Sequence, residues 1–216
     1  MRAWAAHMKS NLGSRFFGVV VSLTFLAALG VVPAEAADKD SLRRQCQRGE
    51  AKACADLALI ERDAGNNAEA RHLLESACSK DYAPACFRLG SLELAAGNAT
   101  AGRKWLNTAC SKKVAAACSR LAALAHDANH PDEAKKYYEL ACGVPVDAAK
   151  SERGIAAVAC FNLRDIERQA GNEARAAEFF EKGVKHFEKN CAGGDQMSCN
   201  ALSAEKVAEQ RRKTGR

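Results

Sequence analysis

From Cys46 onward the apolar positions recur in two linked registers. Leucine stands three residues after a cysteine five times, at Leu57, Leu89, Leu121, Leu163 and Leu202. Those cysteines are Cys54, Cys86, Cys118, Cys160 and Cys199. A small residue immediately precedes each of them: Ala53, Ala85, Ala117, Ala159 and Ser198. Eleven residues after the cysteine the pattern stops, at Gly65, Gly97, Asn129 and Gly171. Three stops read AGN and the other reads ANH. Glycine, then asparagine, best takes the left-handed conformation that closes a helix, so each stop predicts a helix end. Asn66, Asn98 and Asn172 are expected to help start the helix that follows. Five residues past each stop comes a small residue (Ala70, Gly102, Ala134, Ala176). Three and four residues later come large ones: Leu73 and Leu74, Trp105 and Leu106, Tyr137 and Tyr138, Phe179 and Phe180. That is helical spacing, with the small position permitting close approach and the large ones filling a core. Each unit reads as a helix A around the cysteine, a Gly/Asn turn, and a helix B. No stretch alternates as a strand would.

The ten cysteines fall into five steps: Cys46 and Cys54, Cys78 and Cys86, Cys110 and Cys118, Cys142 and Cys160, and Cys191 and Cys199. On one continuous helix, eight residues rise about 12 Å. A disulfide needs Cα atoms closer than about 7 Å. The two members of a step are therefore unrelated, or the chain reverses between them. Cys78 closes one helix B, and Pro84 sits near the first position of the next helix A, where its missing N–H is harmless. A short corner there brings Cys78 and Cys86 together, and five local disulfides follow. The first members of the first four steps recur every 32 residues, the mark of a repeat array.

Two intervals break the period. Ten additional residues between Cys142 and Cys160, around GVPVDAAKSE, read as a solvated loop, with a partner-contacting insertion as the alternative. Between Gly171 and Cys191 seven additional residues make about two helical turns, so the last helix B should be longer and Phe187 should return to the apolar face. Leu42 precedes Cys46 as Leu74 precedes Cys78, which predicts a truncated helix B over Asp38–Gln45 as an N-terminal cap. The charged tail EQRRKTGR should fray.

The net charge is +6 and charged residues make up 27% of the chain. Signs are well mixed, which gives no footing for nucleic-acid binding. At the N-terminus, Lys9 and Arg15 precede an apolar run from Phe16 to Val32, and Ala34 and Ala36 occupy small-residue cleavage positions. This reads as a secretory leader cleaved after Ala36; the run is long for a leader, so an uncleaved anchor is the alternative. Its removal takes three cations and one carboxylate and lowers the charge to +4. No later segment approaches 18 apolar residues, so no span is expected in the mature chain. Ten cysteines in an exported chain suit a disulfide framework in the periplasm or outside the cell.

The ACxxL helix, the Gly turn and the small-plus-aromatic helix B resemble the Sel-one-like repeat, a relative of the tetratricopeptide repeat. The eight-residue cysteine step resembles the Helicobacter cysteine-rich members of that family. The resemblance spans about Leu42 to Lys206. The second glycine of the family's LG pair is present only as Gly90, and Ala58, Ala122, Ser203 and Arg164 replace it elsewhere. The resemblance implies an all-α, right-handed α/α superhelix of helix-pair repeats, stapled by local disulfides. The implied layout is a leader at 1–36 and one repeat domain at 37–216. Within that domain lie a half-repeat cap at 38–46, repeats at about 47–78, 79–110, 111–142 and 143–191, and a capping helix at 192–216.

The family's helices A line a concave groove that binds partners. Counting one, five, eight and nine residues from the second cysteine, the resemblance places Phe87, Ser91, Leu94, His126, Asp127, Phe161, Asp165 and Arg168 there, extended by Arg62 and Asp63. Phe87 and Phe161 are the expected anchors, with packing of these rings against neighbouring helices A as the equal alternative. The function so implied is a monomeric scaffold for a protein or peptide partner, with a cell-wall peptide as one candidate. Some family members are described as penicillin-binding or β-lactamase-like, so a hydrolase of peptidoglycan-type substrates is the alternative. A purely structural or assembly role is the third reading. Ser203–Lys206 matches S-x-x-K and Lys213–Gly215 reads KTG, but seven residues apart on one tail they cannot converge as these motifs do in serine β-lactamases. No catalytic residue, metal or cofactor is assigned. An eight-residue step is too wide for paired metal ligands, His126 and His130 flank a helix break, and there is no C-x-x-C for redox catalysis.

Overall fold

The computed structural model describes residues 34–215, which form ten consecutive helices and, among the described residues, no strand. They are α1 (Ala34–Gln47), α2 (Ala51–Asp63), α3 (Asn67–Ser79), α4 (Ala83–Ala95), α5 (Ala99–Ser111), α6 (Ala115–Asp127), α7 (Pro131–Cys142), α8 (Lys150–Gln169), α9 (Glu173–Ala192) and α10 (Gln196–Thr214). The even-numbered helices are the A helices of the repeat and the odd-numbered ones the B helices. Each packs on its neighbours in the chain, and helices A also touch one another across repeats, α6 against α8 most closely. The leader run Phe16–Val32 lies outside the described residues.

All five local disulfides are present, one at each corner from a helix B to the next helix A. Cys46 is joined to Cys54 with Cα atoms 4.6 Å apart, and Cys78 to Cys86 at 4.9 Å. Cys110 is joined to Cys118 at 4.8 Å, Cys142 to Cys160 at 4.9 Å, and Cys191 to Cys199 at 4.8 Å. Cys54, Cys86, Cys118 and Cys160 have no exposed surface. Backbones that close need small neighbours, and alanine precedes both cysteines at the inner corners. Ala77, Ala85, Ala109, Ala117 and Ala141 are fully buried, and Ala159 nearly so. At the last corner Cys199 follows Ser198, and the Ser198 hydroxyl donates to Asp195 at 2.5 Å. The register leucines Leu57, Leu89, Leu121 and Leu163 sit behind the inner corners with at most 2% of their surface exposed. Each loop so closed contributes about 2–3 kcal/mol in the chain-entropy model.

The Gly/Asn stops close helices A as expected. Gly65 has φ +83°, its N–H bonds the Arg62 carbonyl at 2.9 Å, and Asn66 N–H reaches the Glu61 carbonyl at 2.8 Å. Asn129 adopts φ +57° and, with His130, makes the same pair of bonds to His126 and Ala125.

The asparagines after these stops behave differently from expectation. Asn66, Asn98 and Asn172 occupy the N-cap positions of α3, α5 and α9, but their side chains cap nothing. Their amides turn back and donate to Glu61 at 2.9 Å, Glu93 at 2.7 Å and Glu167 at 2.8 Å. These glutamates lie seven residues after the second cysteine of their units, and their exposures are 4%, 5% and 0%. Each also receives a cation from the preceding helix B: Lys39 for Glu61 at 2.9 Å, Arg71 for Glu93, and Lys135 for Glu167 at 2.7 Å. A buried carboxylate is stable only when its lone pairs are filled. Here the fill ties helix B of one repeat to the turn of the next.

The two irregular intervals form one structure. Seven of the ten residues GVPVDAAKSE, Gly143–Ala149, are loop as read from the sequence, and Lys150–Glu152 open α8. The spacing missed the length of that helix, 20 residues where α2, α4 and α6 have 13. Its partner α9 is longer by the same amount, with 20 residues. The added turns pack on each other. Arg153 Nε donates to Asn190 Oδ1 at 2.7 Å, and Asn190 Nδ2 donates to the Lys150 carbonyl at 3.1 Å. Phe187 is buried here, as the spacing required, in a second cluster with Ala157, Phe161, Phe180 and Val184. Glu152 of the extension accepts the Ala115 N–H at 2.5 Å, satisfying the start of α6 two helices away.

Both ends are polar. In α1 the positions of Ala70, Leu73 and Ala77 are taken by Asp38, Ser41 and Gln45, so its outer face offers nothing apolar to stack on. The C-terminal tail, expected to fray, is helical and exposed. The last helix, α10, runs to Thr214, and Arg212 bonds the buried Glu209 at 2.9 Å and lies 3.5 Å from Glu173.

Two outcomes are expected. Peptide mapping under non-reducing conditions should return only the five local linkages, and a Cys86–Cys110 peptide would contradict the corner geometry. The hydrogen bond from Asn66, with Lys39, holds the Glu61 carboxyl below its ordinary range; Arg71 and Asn98 do so for Glu93, and Lys135 and Asn172 for Glu167. A lowered folded pKa gives stability that is complete above the unfolded value, near 4.5, and is lost as pH falls through the folded one. The thermal unfolding midpoint should therefore fall from about pH 5 downward. Glu93→Gln should flatten that slope while costing about 1–3 kcal/mol at neutral pH.

Candidate binding groove

Three successive helices A, α4, α6 and α8, enclose an open depression of about 540 Å³. Its lining is Phe87 and Ser91 from α4, Ala116, Ser119, Arg120 and Ala123 from α6, and Ile155 from α8. Small residues on α6 keep the floor low between Phe87 and Ile155. Phe87 is half-buried, and the Ser91 hydroxyl is spent on the Phe87 carbonyl at 3.0 Å, leaving a largely apolar wall. Ile155 belongs to the two-turn extension of α8. It also borders a second depression of about 440 Å³, which continues past Gly154 and Phe187 to Met197 and Ala201 of α10. Met197 is 80% exposed at that rim. Lys150 and Asp195 pair across the far edge at 3.1 Å.

Arg120 supplies the charge. It repeats the position of Arg88 one unit earlier, and Arg88 reaches back to the Ala55 carbonyl at 3.1 Å and to Asp56 at 3.4 Å. Burial opposes ionisation of Asp56, yet Lys52 and Arg88 together hold its carboxyl below the usual range. For Arg120 the residue one unit back is Arg88, another cation, so no such pair can form. Arg120 remains exposed over the depression, without a carboxylate within 4 Å among the described residues.

The structure brings together only part of the expected groove set. Phe87 and Ser91 line the depression. Leu94 turns the other way: a Cβ built on Gly102 would lie 2.7 Å from its Cδ2, so Leu94 fills the α4–α5 contact. Arg62 and Asp63 pair with each other at 2.8 Å, exposed at the end of α2. His126 and Asp127 are exposed at the end of α6, 3.8 Å apart. Asp165 accepts from its neighbour Arg164 at 2.8 Å, and Arg168 is committed to Glu209 at 2.9 Å.

Phe161 requires a correction. It is 5% exposed, with ring centroids 5.9 Å from Phe180 and 5.6 Å from Phe187. A Cβ on Gly183 would come within 2.7 Å of it. In the second repeat the close helix crossing lies between Gly90 and Gly102. In the fourth, Arg164 occupies the glycine position, so the tight spot moves to Gly183, seven residues beyond Ala176, and Phe161 fills it. The Arg164 guanidinium covers the ring at 5.0 Å and pairs with Glu205 at 2.5 Å. Burial opposes its charge, but Asp165 and Glu205 outweigh that and raise its pKa.

Arg120, Ala116, Ala123 and Ile155 were not singled out from the sequence. Arg120 had a signal in its 32-residue offset from Arg88. Ile155 had none, because it precedes Cys160 at a position with no counterpart in the shorter helices A. The S-x-x-K and KTG residues share one helix: Ser203 is exposed, Lys206 pairs with Glu188 at 2.9 Å, and Lys213 lies 3.8 Å from Glu209. No group of three or more metal-binding side chains occurs among the described residues, and no helix there is long and apolar enough to cross a membrane.

No known family model matches the chain, and no curated protein matches its sequence. Among solved structures, a crystal structure of MamA is similar at 17% identity and TM-score 0.44, over 73% of this chain and 91% of that one. A second MamA structure gives 18% and 0.42, over 73% and 85%. A TPR repeats protein from Bacteroides fragilis NCTC 9343 gives 14% and 0.33, over 81% and 91%. The likeness is distant and concerns the arrangement of paired helices.

Because Phe161 fills a core position, Phe161→Ala should cost about 3–5 kcal/mol of stability. Denaturant unfolding measures it; an unchanged midpoint would place the ring outside the core.

Proposed function

We propose that this chain is an exported scaffold that holds an extended segment of a partner protein in the depression spanning α4, α6 and α8. The observation that carries this reading is the combination there of an apolar wall (Phe87, Ile155), a low floor and one unpaired cation, Arg120. Apolar side chains of a bound segment gain most from such a wall, and a nearby carboxylate gains from Arg120. Five disulfides suit an oxidising compartment, and with the leader pattern they support a periplasmic or secreted location. Membership of the Sel-one-like family, in its cysteine-rich branch, belongs to the same proposal and rests on the eight-residue cysteine step.

A displayed library of random peptides selected on the purified, oxidised protein tests the reading. Selected peptides should combine apolar residues with Asp or Glu. Phe87→Ala should weaken them at least roughly 30-fold, the equivalent of about 2 kcal/mol. Arg120→Ala should cost less, and its effect should shrink with salt. Peptides that bind Phe87→Ala as tightly as the parent would remove the depression from consideration.

A further inference from the structure

The glutamate ladder has a broken step. In three of the four units whose helix A ends at a Gly/Asn stop, a cation on the preceding helix B reaches a buried glutamate on that helix A, 22 residues on for Lys39–Glu61 and Arg71–Glu93. Lys135–Glu167 is the same pair across the ten-residue insertion. In the remaining unit Arg103 holds the cation position, but the residue 22 further on is Ala125. The asparagine that completes each of the other sites is here His130, whose Nδ1 faces Glu133 at 3.5 Å instead. Arg103 is left with one long hydrogen bond, from Nη2 to the Leu124 carbonyl at 3.4 Å. Among the described residues no carboxylate lies within 4 Å of it. The residue is half-buried, and its remaining N–H groups have no protein partner among the described residues.

We infer that Arg103 is a binding site for a carboxylate brought by another molecule, which takes the place that Glu61, Glu93 and Glu167 fill in their own units. The backbone supports this. The turn after α6 has the same bonds as its counterparts, His130 N–H to the Ala125 carbonyl at 2.9 Å matching Asn98 N–H to the Glu93 carbonyl at 2.9 Å. Only the acidic side chain and its asparagine are missing, while the cation remains. A planar guanidinium presents a fork of donors matched to a carboxylate, and partial burial strengthens the bond. The carboxylate can come from an acidic side chain of a partner protein or from a small free acid. The site lies where the start of α5 meets the α6–α7 turn, separate from the α4–α6–α8 depression, and does not depend on that depression's role.

The test follows the Arg103 Nε–Hε resonance in the oxidised full-length protein, identified by its loss in Arg103→Met. Sodium acetate and the peptide acetyl-Gly-Glu-Gly-amide are titrated separately against sodium chloride of equal ionic strength. Arg103 should respond saturably, at roughly a tenth of the concentration needed to move the exposed Arg211. In Ala125→Glu the resonance should already be displaced and should no longer respond, because the chain then carries its own carboxylate. Peptide binding tighter than acetate would mark a protein side chain as the source, and equal binding would mark small acids; both support the site. An Arg103 response no stronger than that of Arg211 overturns it. So does a folded Ala125→Glu protein that responds like the parent. Should that variant not fold, the comparison of Arg103 with Arg211 in the parent decides alone.

Discussion

The corner disulfide is the constraint on which the array depends. It brings the end of one helix B and the start of the next helix A to a Cα separation of 4.6–4.9 Å, closer than most side chains would allow. That closeness dictates alanine beside the cysteines and places the register leucine directly behind them. It also explains how a chain with 6% aromatic residues can hold a narrow, two-helix-thick array together. A solenoid repeat touches only its neighbours, so no distant contact can compensate for a loose corner. The covalent link supplies locally what a large globular core would supply collectively.

A second, polar set of ties lies on the turn edge. The glutamates receive an amide from one side of the turn and a cation from the preceding helix, so they fix how each pair leans on the one before. Such sites contribute little net energy compared with an apolar replacement, but losing one partner is costly. They therefore act as register marks. The third unit lacks its mark and is joined instead by Glu152, from the α8 extension, at the other end of α6.

Most of the helical frame was legible because its signals are local and repeated. Spacing alone located the Gly65 and Asn129 stops, the Leu57–Leu202 register, the cysteine partners and the longer α9. Cys54, Cys118 and Cys199 each found the cysteine eight residues earlier because the corner between them is too short to offer another. Legibility failed where one position had two competing uses. Asn66 and its counterparts look like helix caps, and only the neighbouring buried glutamate shows that the amide is needed elsewhere; the E-x-x-x-x-N spacing was present but carried no meaning without the fold. Phe161 shares the register of Phe87, yet Arg164 three residues later displaces the helix crossing and draws the ring inward. The Cys142–Cys160 insertion contains a proline and mixed charge, and its first seven residues are the loop these favour; the early start of α8 at Lys150 had no such signal. The depression was half visible, since Phe87 and Ser91 follow from register while Ile155 depends on that early start.

The matched lengthening of α8 and α9 has a consequence for anything lying along the helices A. Seven residues are close to two full turns, so the added length keeps every side chain on its original face and changes only how far the pair projects. The fourth unit is thus taller than its neighbours on one side, and the row of helices ends in a step with Ile155 on it. The two ends of the row therefore differ in height as well as in sequence, and a surface that runs along helices A is level over α2, α4 and α6 and raised at α8.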